Sequence, residues 1–217
     1  MFKILGLVSL LVLAFSNAAT AGKAFSWDLS RAMMKGITTN PQGSWAFMQN
    51  TSGIDNPANY TLLPKYHSPC FVETPWLNCW RQTDAKGSYP VIGVAIKTFA
   101  YRGITFSRGI PYLHPSVNVP VILRWKSPIN GRVNIMGSVS AIDPNWGDGD
   151  GINWSLKNKN ATIIKSGYLA QGQGSTFLAQ NIGIKKGESL YFTVDDGQKG
   201  DRNNDSTNLD IFITSQQ

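Results

Sequence analysis

The sequence is short of charge, histidine, cysteine and long apolar runs, and each shortage removes a class of protein. Only 15% of its 217 residues are charged while 11% are aromatic, the reverse of the composition that keeps a chain disordered. Apolar runs stop after the first fifteen residues, so no later segment approaches the roughly 20 residues of a membrane-spanning helix. Helical periodicity is scarce, and 21 glycines and 11 prolines argue against a helical bundle. The two histidines, His67 and His114, leave little for metal-assisted or triad chemistry. There is no G-x-S-x-G elbow, no H-E-x-x-H zinc motif and no phosphate-cradling glycine loop.

The net charge of +7 is spread thinly. Lys157, Lys159 and Lys165 are the loosest of groups, and no basic run forms a nucleic-acid footprint; no nucleic-acid partner is expected. A solvated basic surface is the simpler reading.

What is present begins with Met1-Phe2-Lys3, a nearly unbroken apolar run from Ile4 to Phe15, and the small residues Ala19-Thr20-Ala21. This is the pattern of a cleaved export signal covering residues 1–21, which predicts a secreted or periplasmic protein. In that compartment the only cysteines, Cys70 and Cys79, are expected to form a disulfide. Two cysteines with His67 nearby fall short of the four ligands of a closed zinc site.

Residues 22–217 are expected to form one all-β domain. The single helical candidate is Trp27 to Lys35, capped by Asp28 or Ser30 and ended by Gly36. Strands are predicted at Ser44–Met48, Tyr60–Leu63 and Val91–Phe99, then more regularly from Pro120 onward. Val121, Leu123 and Trp125 share one face, and Asn130-Gly131 carries the dipeptide of a favoured hairpin turn. Val133, Ile135, Gly137 and Val139 share the next face, followed by Ile152, Trp154 and Leu156. Leu190, Phe192 and Val194, then Leu209, Ile211 and Ile213, repeat the alternation. Short strands at this spacing, with Gly and Asn turns, predict an antiparallel β-sandwich of jelly-roll type. Residues 22–110, with the disulfide loop, are the less regular part, and 111–217 the jelly-roll part.

Four stretches carry a family likeness: His114-Pro115 with Val121 to Pro128, Gly131-Arg132-Val133, Asp143-Pro144-Asn145-Trp146-Gly147-Asp148-Gly149-Asp150-Gly151-Ile152-Asn153-Trp154, and Ile184 to Val194. Together they resemble a jelly-roll module of secreted and surface bacterial proteins, similar to galactose-binding-like sandwiches. The resemblance covers mainly residues 111–217. It implies a binding module, often for carbohydrate, and before residue 110 it extends only loosely, at Asn40-Pro41-Gln42-Gly43-Ser44-Trp45.

Two groups of residues carry candidate chemistry. Asp143, Asp148 and Asp150 with Asn145 lie in one glycine-rich loop, the kind of flexible oxygen set that calcium takes; Asp205, from the acidic connection of residues 195–210, is a candidate to complete it. An ordinary Asp/Gly turn is the competing reading. For a glycan or other cell-surface ligand, the candidates are Trp146, Asn145, Tyr112 and Trp76, rings and an amide placed in loops or at strand edges. A secreted hydrolase using loop carboxylates, and an adhesin or effector with a protein target, remain as alternatives.

Overall fold

The computed structural model describes residues 24–85, 87–144, 149–200 and 203–216. Among the described residues there are sixteen strands and one α-helix. The first half supplies β1 (Ser26–Asp28), α1 (Leu29–Met34), β2 (Trp45–Gln49), β3 (Thr61–Leu62), β4 (Lys65–His67), β5 (Leu77–Arg81), β6 (Val91–Ala95), β7 (Phe99–Tyr101), β8 (Ile104–Phe106) and β9 (Pro111–His114). The second half supplies β10 (Val121–Lys126), β11 (Gly131–Ala141), β12 (Ile152–Asn158), β13 (Ile163–Leu169), β14 (Gly174–Ile184), β15 (Ser189–Asp195) and β16 (Thr207–Ser215). The helix starts where Asp28 accepts the Arg31 N–H at 2.8 Å, the ordinary way of satisfying an orphan N-terminal amide.

One sheet runs β14-β11-β16-β9-β6-β5-β4, with β1 also paired to β16; the second runs β13-β12-β15-β10-β2-β3. The pairings among these strands are antiparallel. Alternation aims Trp125, Leu123, Phe47, Phe192 and Leu156 from one sheet at Ile135, Val139, Ile211, Ile213 and Leu113 from the other, and these form the main core. Trp125 is fully buried. Trp154 stacks on Phe177 across the sandwich with centroids 4.9 Å apart, and Gly137 leaves the room, since a Cβ there would lie 2.2 Å from the Phe177 ring. The predicted all-β sandwich is what the chain forms.

One local expectation fails. Asn130-Gly131 does not turn a hairpin, because β10 pairs with β2 and β15 while β11 pairs with β14 and β16. The chain crosses between sheets at this point. Gly131 has φ of 146°, well away from a hairpin's left-handed helical region, and the Asn130 side chain accepts the Lys186 N–H at 2.8 Å instead.

Residues before 115 are not a separate layer. They supply strands to both sheets, and they build a second apolar cluster on the outer face of the larger one. Leu77, Cys79, Val91, Ala95 and Tyr112 face outward from β5, β6 and β9, and Ile104 and Phe106 of the β7–β8 hairpin cover them. Their neighbours Trp80, Ile92, Val94 and Leu113 face the main core. These strands are therefore buried on both faces, which erases the alternation that marks a half-exposed strand. The Cys70–Cys79 disulfide forms as expected and lies in this second cluster. Gly93 pairs with both Cys79 and Tyr112; a Cβ there would lie 2.6 Å from Asn78 O and 2.9 Å from Cys79 Cβ.

Candidate functional site

The second cluster does not fill its space completely. A cavity of about 280 Å³ opens beside it, lined by the hairpin, β9, the disulfide loop and the two connections that lead out of β11 and into β16. At about 30 Å³ per water this is room for roughly nine waters, or one small ring with its substituents.

Aromatic rings form a continuous arc around it. Phe71 and Tyr89 are 5.8 Å apart, Tyr89 and His114 4.2 Å, His114 and Tyr112 6.4 Å, and Tyr112 and Phe106 5.1 Å, centroid to centroid. Tyr101 and Arg102 add the hairpin's end. Arg102 and Gly103 have φ of 50° and 73°, the two left-handed positions of a tight two-residue turn. Phe99 stacks flat on Phe106 at 4.8 Å and fixes the hairpin over the cluster.

The polar groups sit at one side. Asp143 is almost fully buried and accepts the Ser206 N–H, while Tyr112 Oη and Ser206 Oγ are 3.4 Å apart. Burial pushes the Asp143 carboxyl above its ordinary value, only partly offset by the bonds from Ser206. Burial likewise drives the Tyr112 phenol up, so it remains a neutral donor. His114 Nδ1 lies 2.8 Å from Pro115 O; a carbonyl only accepts, so Nδ1 carries the proton. Asn203 and Asn204 complete the lining.

The structure brings two of the sequence candidates together here, Tyr112 and Asp143. Tyr112 is not at a strand edge, since β9 is hydrogen-bonded on both sides, to β6 and β16. Trp76 stands just outside the cavity, 39% exposed, and the Lys97 ammonium lies 4.0 Å over its ring, so one face of the indole is taken. Asn145, Trp146 and Asp148 lie outside the described residues.

The acidic connections do meet, but their carboxylates do not aim at one point. Asp143 is turned to the Ser206 amide, Asp150 to the Lys199 amide, Asp196 to the Asn118 amide and Asp210 to the Ser30 hydroxyl. Asp205 is completely buried. Among the described residues no three His, Cys, Asp or Glu side chains form a metal-binding group. The described carboxylates are thus held by separate partners rather than gathered on one point.

The residues that sequence reasoning passed over are Phe71, Tyr89, Tyr101, Phe106 and His114. Their one local signal is the aromatic pattern Phe99, Tyr101, Phe106 around Arg102-Gly103. The arc itself comes from four separate segments.

Comparison with proteins of known structure follows the sandwich. Solved structures it resembles include carbohydrate-binding modules. One is the carbohydrate-binding module CBM36 in complex with calcium and xylotriose, 14% identical, TM-score 0.32, covering 55% of this chain and 92% of that one. Another comprises the CBM51-2 and INT domains from Clostridium perfringens ZmpB, 10% identical, TM-score 0.39, covering 75% and 45%. A third, CsCBM6-3 from Clostridium stercorarium in complex with cellobiose, is 9% identical, with TM-score 0.28 and coverage of 71% and 88%. These are distant, partial likenesses, and no residue role is carried over from them. No family model and no curated protein matches the chain. Among the described residues no helix is long and apolar enough to cross a membrane.

Proposed function

We propose that the protein is an exported, non-catalytic binding module that recognises a glycan, or a glycan on a cell surface, through the cavity beside the second cluster. The observation that carries this reading is the arc of rings with hydrogen-bonding groups gathered at one side. Rings pack against the apolar faces of a sugar, and Asp143, Ser206, Asn203 and Asn204 suit its hydroxyls; such concave sites, mostly apolar with a few fixed polar groups, are the usual form of a small-ligand site.

Export is supported by the leader-like residues 1–21 and by the disulfide. The hydrolase alternative gains nothing from the cavity, because Asp143 is the one carboxylate among its described lining residues and glycoside hydrolysis uses a pair.

A glycan array probed with the full exported chain tests the proposal. Binding to a defined set of glycans is expected, lost on Tyr101→Ala while the circular dichroism spectrum is unchanged. Binding to protein extracts but to no glycan, or glycan binding indifferent to Tyr101, would overturn it.

A further inference from the structure

Asp143 is an unusual floor for a site that reads neutral sugar alone. It is a 3% exposed carboxylate in an aromatic enclosure, held by Ser206, and among the described residues no lysine, arginine or histidine forms an ion pair with it. A buried charge in this position costs stability unless an opposite charge meets it. The cations nearest the lining do not fill that role. Arg102 lines the cavity, but it is exposed at the hairpin turn with its guanidinium over the Tyr101 ring, 5.4 Å from the centroid, and forms no ion pair with Asp143. Arg81 stacks on Phe71 at 5.0 Å and does not line the cavity.

Aromatic faces carry negative potential and attract cations, most strongly when water is excluded. The rings of Phe71, Tyr89, Tyr112, Phe106 and Tyr101 line a space whose one buried formal charge among the described lining residues is negative; Arg81 takes one face of Phe71 and Arg102 one face of Tyr101.

We infer that the cavity takes a ligand bearing a cationic ammonium group, such as an amino sugar, with the ammonium against Asp143 and the aromatic arc around it. This rests on the glycan reading for the sugar part and on the cage alone for the charge. The carboxylate and the rings act on the same group: Asp143 supplies the counter-charge, and the rings replace the water that an ammonium loses on entry. N-acetylation of the amine removes the charge and so the reason for the site.

The test is calorimetric titration of the full chain with four probes: glucose, glucosamine, N-acetylglucosamine and choline. Glucosamine is expected to bind at least tenfold more tightly than glucose or N-acetylglucosamine, and choline to bind without any sugar. Asp143→Asn should reduce the preference for glucosamine over glucose to less than threefold. Asparagine still offers Oδ1 to the Ser206 N–H, so the fold is retained. Should that variant misfold, Tyr101→Leu at the half-buried hairpin end is expected to weaken choline binding at least fivefold. Equal binding of glucose and glucosamine would overturn the ammonium inference and leave the glycan reading standing. Choline binding without any sugar binding would uphold the ammonium inference and overturn the glycan reading. Failure of all four probes would overturn the ammonium inference.

Discussion

Removing the Cys70–Cys79 bond should weaken the fold by an amount its position allows one to state. The cysteines are nine residues apart in sequence and close a loop of ten. In the chain-entropy treatment such a loop restricts the unfolded state by about 2.7 kcal/mol at 25 °C. A chain of this size loses about 2–4 °C in Tm per kcal/mol, so the Cys70→Ala, Cys79→Ala double variant is expected to melt roughly 5–11 °C lower. Both cysteines are at most 1% exposed; a reductant reaches them only after unfolding, which makes the variant, rather than reduced wild type, the proper comparison. Thermal melts and urea titrations followed by circular dichroism measure the shift. The bond also ties the loop bearing Phe71 and Thr74 to β5, so ligand binding in the cavity should weaken as well. A Tm within 2 °C of wild type would refute the reasoning, since it would mean the loop is already restricted in the unfolded chain or that the second cluster does not depend on it.

Three further outcomes are expected. Asp143 has its carboxyl raised by burial, so the folded state holds that proton more tightly than the unfolded state and loses stability as pH rises from 3.8 through the raised value; Asp143→Asn should therefore melt at or above the wild-type midpoint at pH 7, and a lower midpoint would count against that sign. Gly93→Ala should cost about 1–3 kcal/mol, read by urea titration, because its Cβ would meet Asn78 O at 2.6 Å between strands paired on both sides; a neutral result would mean β5 and β6 are looser than their packing shows. Because Asp143, Asp150, Asp196 and Asp210 face separate amides and hydroxyls, millimolar calcium or a chelator is expected to leave the Tm unchanged, and a calcium-dependent rise of several degrees would show that a calcium site forms.

The two halves of the chain were legible to different degrees, for a physical reason. Strands such as β11, β12 and β16 place every second residue in the main core and leave most of the others half exposed, so Ile152, Trp154, Leu156 and Leu209, Ile211, Ile213 stand out by period alone. In β5, β6 and β9 both faces are buried, one in the main core and one under the hairpin, and sequences such as Leu77-Asn78-Cys79-Trp80-Arg81 show no clear period. The Asn130-Gly131 dipeptide misled because a turn preference is local, while the choice between a hairpin and a crossing of the sandwich depends on which strands offer free edges. Tyr112 and Asp143 were singled out as isolated candidates, and their meeting at one cavity was not visible because 31 positions separate them in the chain.

The sequence by itself determined the all-β class, the capped short helix and the disulfide, since each depends on neighbours within a few residues or on the simple pairing of two cysteines. The tertiary structure alone decided the site. Phe71, Tyr89, Tyr101, Phe106, Tyr112 and His114 become one arc only when the disulfide loop, the hairpin and β9 pack together, and Asp143 becomes a buried charge only when Ser206 closes over it from the far end of the chain. Ring stacking and desolvation act through space, and no spacing in a sequence encodes them directly.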